Sequence, residues 1–182
     1  MQSFVALLAA LFSLQACAQV TANSIVFRDD QLVFNGKPLT LGQGLSAWDE
    51  VLPGERRCEG AKVDVCAWDS IGLMVVMQNK DPNKIASVKV LLRPHEQAHR
   101  RPMLPKSVYA GKLELDGYAF DSETKFWEVR QNSRKERGIR CGLRECALPG
   151  GQLGERTIIY FALSKPTENG TINEVELGGP EL

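Results

Sequence analysis

The chain has 182 residues, with 22 Lys+Arg against 22 Asp+Glu, so it is formally neutral at pH 7. That balance excludes a global attraction to nucleic acid and leaves charge to act only through local patches. Five cysteines and two histidines allow crosslinks but supply few metal ligands.

Residues 4–14 (FVALLAALFSL) are apolar apart from Ser13, and the first 17 residues carry no charged side chain. Such a run falls short of the roughly 20 helical residues needed to cross a hydrocarbon core. It fits the apolar centre of an export signal. Leu14-Gln15-Ala16-Cys17 resembles the lipobox of bacterial lipoproteins, with an aliphatic residue at −3, a small one at −1 and the cysteine to be lipidated. Residues 1–17 are therefore predicted to be a signal peptide with its lipid on Cys17. Cleavage after Ala18 by the ordinary signal peptidase is the competing reading. No Lys or Arg precedes the apolar run, so the N-terminal amine alone supplies its positive end. About 165 residues then remain, enough for one domain or two small ones.

Alternating residues 24–28 read as a strand, and 31–39 as strand, Asn35-Gly36 turn, strand. Ser46 is placed to cap a helix with Asp49 in a capping-box arrangement, and Pro53-Gly54 stops it. Strands are predicted at 63–68, 71–78 and 85–92, with a turn at 79–83. Residues 93–107 hold three prolines and no apolar periodicity, and read as a linker. Residues 112–120 repeat the pattern of strand, Asp116-Gly117 turn and strand. A helix follows at 124–133, with Phe126, Val129 and Arg130 close together on its surface. Residues 157–163 are uncharged and β-rich, which predicts a central strand covered on both faces, and 171–177 alternate like an edge strand. The two hairpins lie about 80 residues apart, as do two close pairs of cysteines. The expected fold is α+β: two small diverged repeats, 24–92 and 108–182, each an antiparallel sheet with one short helix.

Four cysteines follow Cys17, and an even number in an exported chain predicts disulfides. Of three connectivities, proximity favours Cys58–Cys66 and Cys141–Cys146. A four-thiolate zinc site is the other use, but neither pair has the common C-x2-C spacing.

His95-Glu96-Gln97-Ala98-His99 is a literal H-E-x-x-H, which on a helix would hold zinc beside a glutamate base. Pro94 and Pro102 limit any helix here to about two turns, Arg100 and Arg101 would set cations beside the metal, and no third histidine exists. A polar linker is the reading adopted, with a zinc hydrolase using His95, Glu96 and His99 as a remote alternative. No other catalytic set stands out, so no enzyme, cofactor or metal is expected. Arg130, Arg134, Lys135, Arg137, Arg140 and Arg144 face only Glu136 within their run. The plain reading is a solvated face neutralised by Glu168, Glu174, Glu176 and Glu181. The functional one makes Arg130, Arg134, Lys135, Arg137 and Arg140 a surface for an acidic protein partner or anionic headgroups. Trp48 and Trp127 are expected to pack their helices on the sheets, with a partner-facing hot spot as the alternative.

The stretch Ile25-Val26-Phe27, then Leu32-Val33-Phe34-Asn35-Gly36-Lys37-Pro38-Leu39, Leu41-Gly42, Ser46, Trp48, Val51-Leu52 and Trp68-Asp69 with Gly72 resembles a family of uncharacterised bacterial envelope proteins. That family is known only as a domain of unknown function, many of its members carrying lipoprotein signals. The resemblance covers 24 to about 92, with a diverged echo at Lys112-Leu113 and Leu115-Asp116-Gly117, and brings no catalytic residues. Helix plus sheet, twice over, also resembles the layout of β-lactamase inhibitor protein and outer-membrane assembly lipoproteins, except that strands precede the helix here. The sequence therefore leads to a non-catalytic periplasmic lipoprotein tethered to the outer membrane through Cys17. Its expected role is to bind a protein: as an immunity protein against a toxic effector of a type VI or similar secretion system, or alternatively as an envelope-assembly factor or enzyme inhibitor.

Overall fold

The computed structural model describes residues 23–28, 31–59, 64–79, 81–94, 103–135, 138–149 and 157–178. Cys17, the H-E-x-x-H residues His95, Glu96 and His99, Arg137 and Glu181 lie outside them. In chain order the elements are β1 (Ser24–Arg28), β2 (Gln31–Phe34), β3 (Lys37–Thr40), α1 (Leu45–Asp49), β4 (Arg56–Glu59), β5 (Val65–Trp68), a 3-10 turn (Asp69–Ile71), β6 (Leu73–Met77) and β7 (Ile85–Leu91). After these come β8 (Lys112–Leu115), β9 (Tyr118–Phe120), α2 (Phe126–Asn132), β10 (Arg140–Cys141), β11 (Glu145–Pro149), β12 (Ile158–Leu163) and β13 (Ile172–Gly178).

The α+β expectation is overturned: among the described residues thirteen strands in two sheets dominate, and only 11% are helical, the 3-10 turn included. Nor does each half own a sheet. A five-stranded sheet runs β3-β2-β1-β8-β9, and an eight-stranded one runs β10-β11-β12-β13-β7-β6-β5-β4. The physical reason lies in hairpins too small to bury a face alone. Strand β1 solves this by pairing antiparallel with β2 and parallel with β8, which places both hairpins in one sheet. In the larger sheet the four-strand meanders of the two halves meet where β13 pairs antiparallel with β7, from Glu174↔Leu91 to Gly178↔Ser87.

Both hairpin turns form as their sequences require. Asn35 and Asp116 take φ of 48° and 54°, each followed by a glycine at positive φ, the geometry of a two-residue turn that matches strand twist. Helix α1 starts after Gly44 without a side-chain cap, so Ser46 lies inside the helix rather than capping it. In the turn ahead of the helix, Gln43 Oε1 accepts the Thr40 N–H at 3.0 Å. Strand β13 is central, not an edge. Strand β12 is covered on one face only, since Ile159, Phe161 and Leu163 are buried while Ile158, Tyr160 and Ala162 are half-buried.

Inward residues of both sheets form one apolar cluster, including Phe27, Phe34, Trp48, Trp68, Val88, Val90, Phe126, Phe161 and Val175. Trp48 stacks obliquely on Trp68 with centroids 6.5 Å apart, and Phe161 reaches Phe126 at 5.1 Å and Phe120 at 5.9 Å. The end of the proline-rich segment is docked, not dangling. Leu104 packs with Ala67 and Met74 on the outer side of the large sheet, and the Tyr109 N–H donates to the Leu91 carbonyl at 2.7 Å.

Candidate functional site

Both cysteine pairs close across neighbouring strands. Cys58–Cys66 joins β4 to β5 and Cys141–Cys146 joins β10 to β11, each with Cα atoms 4.1 Å apart. They staple the two opposite edges of the eight-stranded sheet. All four sulfurs are thus committed to structure. Among the described residues no group of His, Cys, Asp and Glu could hold a metal, and no helix is long and apolar enough to cross a membrane.

The cation-rich run folds into a surface feature around α2. Its start is held by the loop before β13: the Phe126 N–H donates to the Gly170 carbonyl and the Trp127 N–H to the Glu168 carbonyl, both at 3.0 Å. The Lys125 N–H, just ahead of the helix, donates to Glu128 Oε1 at 3.2 Å, satisfying one orphan donor of the first turn. Phe126 and Val129, three residues apart, are fully buried and anchor the helix on the sheet. Trp127 lies off that stripe and is 41% exposed, against 0% for Trp48. The core role expected for Trp127 is therefore corrected; Phe126 occupies the inward position.

A groove of about 520 Å³ opens beside the helix, lined by Trp127, Arg130, Arg134, Lys135, Gly138 and Ile139, with Gln131 and Ser133 completing it. Three cations and an indole share this wall. Two guanidiniums are braced from outside the groove. Arg130 forms an ion pair with Glu168. Arg134 Nε lies 2.9 Å from Asp116 Oδ1, while its backbone N–H donates to Asp116 Oδ2 at 3.1 Å. The Asp-Gly turn of the second hairpin thus doubles as an anchor for the groove, whereas Asn35 at the matching turn instead accepts the Ser24 N–H at 2.8 Å.

Past Ile139 the chain enters β10, the edge strand, which pairs with β11 and with no other described strand. Arg140 is exposed there, opposite Ala147. The disulfide-closed turn beyond carries Leu143, which is 79% exposed. Trp127 and Leu143 are the two exposed large apolar side chains among the described residues, and both flank this cationic stretch.

The acids expected to neutralise the run divide their work. Glu168 pairs with Arg130, but Glu174 and Glu176 grip Lys89 at 2.9 and 3.0 Å across the β7–β13 seam. Burial works against the Lys89 ammonium, yet the two carboxylates outweigh it and hold its pKa above the ordinary lysine value. Further along the same cross-strand row, Arg57 forks onto Asp69 at 2.9 and 3.0 Å and onto the Leu104 carbonyl at 3.0 Å. The Arg57 hydrogen bond, followed by that from the Lys106 N–H, outweighs burial and keeps the Asp69 carboxyl below its usual range. Sequence reasoning read Asp116 only as a turn residue and Asp69 only as part of the family pattern, and gave Leu143 no role. The exposure of Trp127, by contrast, was readable from its place one residue off the Phe126–Val129 stripe.

Fold and face together define a doubly stapled two-sheet β domain with a cationic, aromatic groove at one sheet edge. The chain belongs to the family described as Domain of unknown function (DUF7738), whose model matches residues 24–130. No curated protein and no solved structure matches it.

Proposed function

We propose that this chain is a non-catalytic, envelope-tethered binding protein that occupies an acidic surface of another protein with its α2–β10 face. Its role on this reading is that of an immunity protein, blocking a toxic effector delivered into the periplasm. The observation that carries the reading is the coincidence of the exposed Trp127 and the braced Arg130 and Arg134 on the wall of one groove. Aromatic and arginine side chains dominate the binding energy of protein interfaces, and positions fixed in advance cost less entropy on association. Export is supported by the apolar run ending at Cys17 and by two disulfides, which persist in oxidising compartments. Cys17 carries the lipid on this reading, tethering the domain to the outer membrane. Arg137, which lies outside the described residues, joins Arg130, Arg134, Lys135 and Arg140 in the binding set.

The test is deletion of the gene followed by growth in contact with wild-type sister cells. Loss of resistance, restored by the intact chain but not by a variant with Trp127→Ala and Leu143→Asp, is the expected result. Unchanged resistance overturns the immunity role, and a permeability defect with no toxin involved would move the chain to envelope assembly.

A further inference from the structure

The groove beside α2 has a chemistry more specific than a generic charged patch. Its wall presents Arg130, Arg134 and Lys135, no carboxylate stands among the described residues that line it, and Trp127 offers an exposed ring at the same wall. Its far end, Gly138 and Ile139, leads directly into β10, whose outer side pairs with no described strand. We infer that the groove takes an extended acidic peptide segment of the partner protein, one apolar side chain of which packs on Trp127. This rests on the protein-binding reading above and deepens it.

Three features favour such a segment. An extended chain can continue along a sheet edge, where main-chain groups supply affinity and alternate side chains enter pockets. Carboxylates on that chain meet guanidiniums already oriented by Glu168 and Asp116, and a guanidinium has five donors, so an outside brace leaves capacity for a second acceptor. The exposed indole adds a surface on which an apolar side chain of that segment can pack. An anionic membrane would also suit cations beside a tryptophan. However, Ser24, the first described strand residue, is in register with Lys112, whereas Asp116, which braces the groove, lies beyond the other end of β8. The described chain thus enters the small sheet at the end opposite that carboxylate, and an acidic protein segment is the occupant proposed.

Trp127 provides the readout, because the other two tryptophans, Trp48 and Trp68, are fully buried. The full chain is titrated with a capped acidic peptide of glutamates around a central leucine pair, and tryptophan emission is followed. The expected result is a saturable change that weakens with added salt. It should vanish in Trp127→Phe and lose affinity on the order of tenfold or more in Arg130→Glu/Lys135→Glu, as expected for the loss of charge-assisted contacts. An equal response to the same peptide with glutamine for glutamate overturns the inference. So does saturation by phosphatidylglycerol-containing vesicles without a response to the peptide. If the peptide is silent while deletion of the gene still removes resistance to sister cells, the segment inference falls and the binding role stands.

Discussion

Replacing Lys89 with methionine tests whether the β7–β13 seam is held by its ion triad. The Lys89 ammonium sits 2.9 Å from Glu174 and 3.0 Å from Glu176, with side-chain exposures of 23%, 17% and 17%. Removing one partner of a fully buried pair costs about 3–5 kcal/mol, because the other charge is stranded. The residual exposure here allows some rehydration, so Lys89→Met is expected to cost about 2–3 kcal/mol. Adding Glu174→Gln and Glu176→Gln should recover most of the loss, since no net charge then remains stranded. Urea unfolding followed by tryptophan emission measures both, with the slope unchanged if only stability has moved. The pH dependence gives an independent check of sign. Lys89 has its native pKa raised, so its contribution is complete below about 10.5 and is lost as pH climbs past that value. A loss under about 0.5 kcal/mol, or no recovery in the triple variant, would refute the triad as the seam's tie.

Further expectations follow from individual contacts. Gly72 has φ +63°, and a Cβ there would lie 2.4 Å from the Tyr109 nitrogen, so Gly72→Ala should cost about 3 kcal/mol or more in urea unfolding. Gly117 has φ +85° but nothing within 4 Å, so Gly117→Ala should cost only about 1 kcal/mol, a contrast that separates clash from backbone strain. Asp69→Asn removes the negative charge and turns one of the two oxygens facing Arg57 and the Lys106 N–H into a donor, and should cost about 1.5–3 kcal/mol, with faster proteolysis near Leu104. Because the Asp69 pKa is depressed, its contribution is present above the usual carboxylate value and lost as pH falls below it, which acid titration of stability will show. Loss of either disulfide as a Cys→Ser pair should cost about 2–3 kcal/mol by the loop-closure argument, and thiol titration of the denatured, unreduced chain should find none of these four cysteines free.

Local structure was legible wherever a residue type is tied to a backbone geometry. Asn35-Gly36 and Asp116-Gly117 announced their turns because they tolerate positive φ, and Pro53-Gly54 marked the end of α1. The disulfide partners were readable from sequence separations of 8 and 5, short enough for neighbouring strands. Pairing between distant strands was not legible. Nothing local tells Ser24–Arg28 to lie parallel to Lys112–Leu115, or Ile172–Gly178 to join Ile85–Leu91, since those choices depend on which faces are left uncovered. Glu174 and Glu176 gave β13 the alternation of an exposed edge, although each is drawn into the seam by Lys89 from another strand. The site divided the same way. Its cations stood out as a run and Glu168 as one of the acids to neutralise them, but Asp116, a turn residue of the second hairpin, gave no sign that it would hold Arg134.

The matched family stretch and the candidate site overlap only in part, and this bears on where function resides. Residues 24–130 include the small sheet, β4 to β7 and α2 as far as Arg130, so membership carries Trp127 and Arg130 and stops there. Arg134, Lys135, Gly138 and Ile139, the opposite part of the groove, lie beyond the match, as do β10 and the stapled turn with Leu143. Yet the matched stretch lacks β13, without which β7 presents an open edge and Val88 and Val90 lose Leu177 and Val175 as cross-strand neighbours. The second half therefore serves two ends at once: its inward side chains close the shared core, and its outward ones complete the groove. A substitution at Phe161 or Val175 would reach the groove only by loosening α2 and the seam, whereas one at Lys135 or Leu143 changes the proposed binding face on an intact body.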